Sequence, residues 1–381
     1  MLKVMIVGCG GIAPAHIEGY LCFGDKAQVV ALVDNSLERA GGLIEKYQLQ
    51  ATAATDYLPL LSGVDVVSVC TPPALHAQIA CDALDAGCHV LLEKPMAPSL
   101  EECDRIIAAA QRNNRVLSVV GQSRFISSIK NVVDLVKSGE YGKLHYARVN
   151  SVWYRGQSYY DLRWRGRWEV EGGGCTQNHS IHHIDLLLWA KGMPKTLRAF
   201  MTNLNHRNSE EEDFSSSLLT YADGSVAEIT STLVSHGEPQ YLQFQMEQAA
   251  VAIPFQAYAS KPRDNGFPED DPDMRARVEA DFAARPRLAH ENHDGQVGNF
   301  LAAIGGEEPL AATGQDGRNS IELITAVYKS ALTGETVEFP IAKDDIFYGL
   351  EWRKTAHHFN EKTKDVEAFA DTTITSFKNK F

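Results

Sequence analysis

The residues best placed to do chemistry open with Val7-Gly8-Cys9-Gly10-Gly11-Ile12-Ala13, a G-x-G-x-x-A run. It follows an apolar stretch and leads into a segment of helical spacing. Gly8 allows the tight turn, Gly10 lets a pyrophosphate approach the backbone, and Ala13 lets helix and strand pack closely. The helix N-terminus, with Gly11 and Ile12 in its first turn, offers free N–H groups to the anion. Asp34 closes the next apolar stretch, about 20 residues on, where a carboxylate accepts from a ribose 2′-hydroxyl and repels a 2′-phosphate. The expected cofactor is therefore NAD, preferred over NADP. Two further turns follow apolar runs: Thr71-Pro72-Pro73, with His76 entering the next helix, and Glu93-Lys94-Pro95. Thr71, Pro72, His76, Glu93 and Lys94 are thus candidate cofactor contacts, with Lys94 able to point at the nicotinamide side of the cleft.

A second constellation lies near the middle of the chain. Gly172-Gly173-Gly174 leads into residues 175–190, a helical segment stopped by Lys191-Gly192. On one helix, Asn178, His182 and Asp185 share a face, and His179 and His183 form a neighbouring pair. The H-x-x-H-H spacing suits zinc, but neither a cysteine pair nor H-E-x-x-H accompanies it, so no metal is expected. His182 can instead act as a general base, with Asn178 binding a substrate hydroxyl. A purely structural histidine helix is the third reading. Upstream, residues 153–168 are dense in Trp, Tyr and Arg. They read either as an interface or as a sugar platform, since aromatic faces stack on C–H surfaces and arginines bind hydroxyls or acids. Candidate substrate contacts are Arg124, Tyr154, Arg155, Tyr159, Tyr160, Trp164 and Arg165, together with Asn178, His179 and His182. Arginines 155, 163, 165 and 167 suit a diphosphate or carboxylate, and equally suit internal salt bridges.

The elements that must hold these residues follow two patterns. In the first half, apolar runs at residues 2–7, 28–33, 64–70, 88–92 and 116–120 alternate with helical segments at 37–47, 75–86 and 100–113. That alternation predicts βαβ units and a parallel sheet. In the second half, strands are expected at 144–153, 195–204, 214–221, 225–233, 241–247 and 250–255, without intervening helices after the second, with a hairpin at Asp223-Gly224. Residues 261–290 read as a long loop with a short helix, and helices resume at 292–304 and 319–333, where they can return to cover the nucleotide domain. The last dozen residues lack a clear pattern. The fold class is α/β: an N-terminal Rossmann domain (1–122), a substrate-binding and oligomerisation domain with a large open, mostly antiparallel sheet (123–340), and a segment at 341–381 packing back on the core.

The 381 residues carry a net charge of −13 and are 44% hydrophobic, which fits a soluble globular chain and opposes binding to a phosphate backbone. No apolar run is long enough to span a membrane, and none at the start resembles a secretory signal. The seven cysteines, at 9, 22, 70, 81, 88, 103 and 175, include no C-x-x-C and read as free thiols in a reducing cytosol. Cys175 stands at a helix start, where a thiol becomes more reactive, but the chemistry above does not need it.

Together these residues resemble the Gfo/Idh/MocA family of sugar and inositol oxidoreductases. The resemblance rests on the Gly-rich turn, Glu93-Lys94-Pro95, the Gly172-Gly173-Gly174 helix with His182 and Asp185, and residues 331–340. It implies hydride transfer between a secondary alcohol carbon and nicotinamide, and a homodimer or homotetramer pairing through the C-terminal sheet. It maps catalytic roles onto Lys94, which polarises the forming carbonyl, and His182, which takes the hydroxyl proton. Asn178, orienting the same hydroxyl, replaces the family's frequent aspartate. Residues 178–182 resemble a subgroup that includes nucleotide-sugar and glycoside 3-dehydrogenases, with His179 in place of its usual glutamine. The implied substrate is a sugar or glycoside, with C3 a candidate carbon. A nucleotide sugar, an inositol, an oxidation–elimination glycosidase and a non-catalytic NAD-binding regulator remain as alternatives.

Overall fold

The structure, a computed structural model, describes residues 1–369. The last dozen residues lie outside the described residues. The described chain forms two compact units, residues 1–126 with 288–321 and residues 127–287 with 322–369.

The first unit begins with β1 (Leu2–Val7), α1 (Ala13–Leu21), β2 (Ala27–Val33), α2 (Leu37–Tyr47) and β3 (Thr52–Ala54). It continues with β4 (Val66–Val69), α3 (His76–Asp85), β5 (His89–Leu92), α4 (Leu100–Arg112) and β6 (Leu117–Val119). All pairs are parallel, in the order β3-β2-β1-β4-β5-β6. Order reverses between β1 and β4, the switch point at which such sheets bind ligands at their strand ends. Residues 4–7 of β1 and all of β4 are buried because helices cover both faces. Two helix starts are set by serine caps: Ser36 Oγ accepts from Arg39 N (3.3 Å), and Ser99 Oγ from Glu102 N (3.2 Å). The short edge strand β3, Thr-Ala-Ala, has no apolar run and is absent from the expected elements.

The second unit carries α5 (Ser127–Ser138), β7 (Leu144–Val152), α6 (Cys175–Asn178) and α7 (Ile181–Lys191). Six strands follow: β8 (Thr196–Thr202), β9 (Phe214–Thr220), β10 (Val226–Thr232), β11 (Tyr241–Met246), β12 (Ala250–Ile253) and β13 (Gln256–Tyr258). The expected long loop with a short helix at 261–290 holds a hairpin, β14 (Ser260–Pro262) with β15 (Pro268–Asp270), and a helix longer than expected, the thirteen-residue α8 (Pro272–Ala284). Asp271 caps α8 through Met274 N (3.0 Å), and Phe282 stacks on Phe255. α5 is also absent from the expected elements, although Ile129, Val132, Val133 and Val136 repeat at helical spacing.

After α8 the chain runs through α9 (Asn292–Ile304), α10 (Gly314–Thr333) and β16 (Val337–Glu338). The expected continuous 123–340 domain is corrected here. Val297, Phe300 and Leu301 of α9 join the apolar core of Ile6, Ile17 and Leu32, so residues 288–321 belong to the first unit. Residues beyond 340 contribute to the second unit, where Val366 bridges Leu162. The large sheet has the order β13-β12-β11-β7-β10-β9-β8-β16 and is antiparallel except for β7 with β10. Its strands alternate buried and outward residues, as in Ser215, Ser217 and Leu219 against Ser216 and Leu218. Among the described residues, no helix is long and apolar enough to cross a membrane.

Candidate functional site

In the first unit a cleft of about 400 Å³ opens at the strand ends, lined by Gly8, Gly10, Asp34, Arg39, Thr71 and Pro72 among others. Gly8 has φ +99°, and a Cβ there would sit 2.6 Å from the Cys70 carbonyl, so no other residue fits without strain. No atom lies within 4 Å of a Cβ built on Gly10 or Gly11, which leaves the backbone open to a phosphate. The cradle thus suits a dinucleotide. Asp34 accepts from Cys9 N (2.9 Å) and Ser36 N (2.9 Å), and from Arg39 Nε and Nη2 (3.0 and 2.7 Å). Burial alone would raise its pKa, but the two backbone N–H groups and the Arg39 guanidinium outweigh burial and lower it. Asp34, the expected ribose contact, therefore carries its own arginine, a partner absent from the sequence reading.

Three candidate contacts in this unit are buried on internal partners. His76 is wholly buried, and its ring nitrogens meet the Pro95 (2.9 Å) and Thr71 (2.8 Å) carbonyls. It ties the turns after β4 and β5 together and so positions Lys94. Glu93 is also buried. Its Oε1 lies 3.0 Å from His16 Nε2 and 3.7 Å from His293 Nε2, and its Oε2 accepts from Lys94 N. Burial pushes this carboxyl up, but the two histidines hold it well below the usual range. These three side chains form a donor group of metal-ligand type, their ligand atoms within 4.8 Å of one another. Positions 16, 93 and 293 give no sign of it in the sequence. Arg124, expected at the substrate, is buried against Asp316 (3.2 Å) and donates to the Ala311 carbonyl. Lys94 is half-buried.

In the second unit the expected continuous helix at 175–190 is two helices. Ser180 N reaches back five residues to Cys175 O (3.1 Å), and the Asn178 amide takes the Gly173 and Gly174 carbonyls. The break at His179-Ser180 separates Asn178, ending α6, from His182 in the first turn of α7. Asn178 and His182 are both partly exposed. His183 is buried against Ser151 Oγ (2.7 Å), and burial pushes its pKa down to about 4, so it stays neutral. His179 is buried beside the Trp153 and Tyr159 rings.

The glycines before α6 are fixed by contact. A Cβ on Gly174 would lie 1.9 Å from the Glu212 carbonyl oxygen. Around them stands a buried acidic set, Glu171, Glu211, Glu212 and Asp213, which the sequence reading did not contain. Glu212 accepts from Gly174 N (3.0 Å) and Thr176 N (3.0 Å), fixing the start of α6.

The aromatic and arginine segment divides. Tyr160 is fully buried, edge-on to Tyr159 and His206, which corrects its expected substrate role. Trp164 is 47% exposed, and Tyr154 is exposed and stacked on His236. Arg165 lies 4.0 Å over the Tyr159 ring and 3.9 Å over Trp164 while donating to Glu171 (2.7 Å). Each of the four arginines meets an acid: Arg155 with Glu238, Arg163 with Glu367, Arg165 with Glu171, and Arg167 with Asp365. Of their two readings, the structure shows the salt bridges.

Residues 2–120 match the model of the GFO/IDH/MocA oxidoreductase family, NAD-binding Rossmann fold, and residues 129–252 match the model of its C-terminal domain. The chain belongs to the Gfo/Idh/MocA family. This family member is 30% identical to the D-glucoside 3-dehydrogenase of Escherichia coli over 195 residues, 51% of this chain and 55% of that protein. The match therefore spans about half the length of that relative. It is 24% identical to the UDP-N-acetylglucosamine 3-dehydrogenase of Acidithiobacillus ferrooxidans, with 83% of this chain and 93% of that protein covered. The WlbA dehydrogenase of Bordetella pertussis, solved in complex with NADH and UDP-GlcNAcA, is similar at 26% identity and a TM-score of 0.76, covering 90% of this chain and 98% of that one.

Proposed function

We propose that this family member is an NAD-dependent dehydrogenase that oxidises a secondary hydroxyl of a sugar or glycoside, with NAD preferred over NADP. The observation that carries the reading is the pair of partly exposed polar side chains, Asn178 and His182, at a helix break in the same unit as Tyr159 and Trp164. The first unit supplies the nucleotide cleft with Asp34 at its edge. Gly8, Gly10 and Gly11 would cradle the pyrophosphate of NAD, and Asp34 the adenosine ribose; bound NAD supplies the hydride acceptor. His182 takes the hydroxyl proton as general base, and Lys94 places positive charge against the forming carbonyl oxygen. The relatives include glycoside and nucleotide-sugar dehydrogenases. The acid partner of every arginine in the 155–167 segment favours a neutral sugar or glycoside over a diphosphate. NAD reduction against free sugars, O- and C-glycosides, inositols and UDP-sugars tests this, with fastest turnover expected on a glycoside or free sugar. Aglycone release without net NADH formation would instead identify a glycosidase, and no reduction with any compound would defeat the dehydrogenase reading.

We further propose a cytoplasmic homodimer or homotetramer. The seven cysteines are free, as a reducing compartment keeps them. The outward face of the large sheet exposes Phe200 and Leu218 on adjacent strands β8 and β9. Replacing both with glutamate is expected to shift the mass measured by light scattering to that of a monomer; an unchanged mass would place the interface elsewhere.

A further inference from the structure

Three donors from distant parts of the first unit meet away from the dinucleotide cleft. His16 lies on α1, Glu93 follows β5, and His293 is at the start of α9. Close packing of two helices brings the histidines together. A Cβ on Gly19 would sit 2.9 Å from Val297 Cγ2, so the bare glycine lets α9 lie close against α1. Gly19 shares a face of α1 with His16, three residues earlier, and Val297 shares a face of α9 with His293, four residues earlier. None of the three donors is among the residues lining the cleft at Gly8 and Asp34.

Hydrogen bonds within this group do not satisfy it. Glu93 Oε2 accepts from Lys94 N (3.1 Å), which leaves Oε1 to face both rings, with His16 Nε2 at 3.0 Å and His293 Nε2 at 3.7 Å. The second distance is too long for a hydrogen bond, and His293 Nε2 is buried without a partner. A buried ring nitrogen left in that state costs free energy, and an ion between the three donors would satisfy it. A tetrahedral zinc ion about 2.0–2.2 Å from nitrogen and oxygen ligands holds them about 3.4 Å apart. The two distances to Glu93 fall either side of that value, and the three donor atoms all lie within 4.8 Å of one another. Two imidazoles and a carboxylate suit zinc and its neighbours in the first transition row, whereas calcium and magnesium call for oxygen ligands. His16 and Glu93 are buried, but the His293 side chain is 18% exposed, which gives the ion a path from solvent and a source of water as fourth ligand.

We propose that His16, Glu93 and His293 form a binding site for a divalent transition ion of the zinc type, held by two imidazole nitrogens and one carboxylate oxygen. The ion staples α1, the turn after β5 and α9 to one another. Because Glu93 Oε2 receives Lys94 N, it also fixes the backbone in front of Lys94. Beside a carboxylate, His16 Nε2 carries the ring hydrogen. On binding, that hydrogen moves to Nδ1 and Nε2 turns its lone pair to the ion, with no net proton lost from the ring. Nδ1 is buried without a partner, so the exchange forfeits no hydrogen bond there. The site stands whether or not the chain is a dehydrogenase.

Zinc binding to the full chain, after dialysis against EDTA, tests the site. Isothermal titration with zinc chloride should show one tight site per chain, and titration with magnesium chloride none. His293→Gln keeps a donor that can reach Glu93 but offers no imidazole, and His293 is the most exposed of the three, so this variant should fold. It should bind zinc at least about 100-fold more weakly, the upper end of what losing a mere supporting partner of a metal ligand costs. His182→Gln, which alters the H-x-x-H-H helix instead, should bind zinc as wild type does. Zinc should raise the Tm of wild type and of His182→Gln but not of His293→Gln, since an ion that binds only the folded chain stabilises it. X-ray absorption of the zinc-loaded wild type should show two imidazoles and oxygen ligands, without sulfur. The site is overturned by a wild type that binds no zinc at micromolar concentration or binds magnesium equally well. It is also overturned by equal zinc affinity in wild type and His293→Gln, or by a sulfur ligand in the absorption spectrum. Should His293→Gln fail to fold, the wild-type titrations, the His182→Gln comparison and the absorption spectrum still decide: loss of zinc in His182→Gln would move the ion to that helix.

Discussion

Alanine at Lys94 or at His182 is expected to lower turnover by ~10²–10⁴-fold, the range spanned by loss of a general base or of a charge that stabilises a developing oxyanion. The two residues do different work, so their losses should differ in kind. Without His182 the alcohol proton has no acceptor, and the deficit should narrow as pH rises and hydroxide substitutes for the base. Without Lys94 the developing negative charge is uncompensated, and higher pH gives no relief. Lys94→Met, which keeps the length of the side chain without its charge, should behave like Lys94→Ala. NADH fluorescence on binding should persist in both alanine variants, because the cleft at Gly8, Gly10 and Asp34 contains neither side chain. Full activity in both would sink the assignment, and loss of NADH binding in both would indicate a structural role instead.

Much of the fold was legible because its signals are redundant. A parallel strand buried on both faces is apolar over most of its length, and β1, β2, β4, β5 and β6 each announce themselves this way between helices of regular spacing. Helices α2 and α9 fall at the expected residues, 37–47 and 292–304. The misses have two origins. The break before α7 follows from contacts four and five residues back, Asn178 capturing two carbonyls and Ser180 reaching Cys175, which the helical spacing of 175–190 does not reveal. The return of residues 288–321 to the first unit depends on Val297 and Phe300 finding the core of that unit.

The candidate site was legible in its residue types and less so in their directions. His76, Glu93, Arg124 and Tyr160 are residue types suited to ligand contacts, yet each is buried among internal partners, because an unpaired polar group in the interior costs more than an exposed one. The run Glu210-Glu211-Glu212-Asp213 has the composition of a solvated acidic loop. Three of its members are instead buried, where Glu212 satisfies the glycine N–H groups ahead of α6 and Glu211 stands beside Glu171. Sequence records that a carboxylate is present but not the donors that make its burial tolerable.

The cofactor preference should respond in opposite directions to the two halves of the Asp34–Arg39 pair. Asp34→Ala removes a carboxylate that can hold ribose hydroxyls, and a hydrogen bond to a charged group contributes about 1.5–3 kcal/mol, so NAD should bind about 10–150-fold more weakly. The same change releases the Arg39 guanidinium, now bonded through Nε and Nη2 to Asp34 Oδ1 and 55% exposed at its side chain. A freed guanidinium beside a 2′-phosphate is a strong partner, and NADP use should rise. Arg39→Ala does the reverse: it strips the counter-charge from Asp34, and a bare carboxylate repels the 2′-phosphate more strongly, so discrimination against NADP should sharpen. Because Asp34 also accepts from Cys9 N in the Gly-rich turn, Asp34→Ala could weaken both cofactors by loosening that turn. Asp34→Asn separates the effects, since it retains an acceptor for the backbone without the charge. The ratio of kcat/KM for NAD to that for NADP should fall from Arg39→Ala through wild type and Asp34→Asn to Asp34→Ala. An unchanged ratio across the four would remove the cofactor-reading role from this pair and leave Asp34 as a brace for the turn.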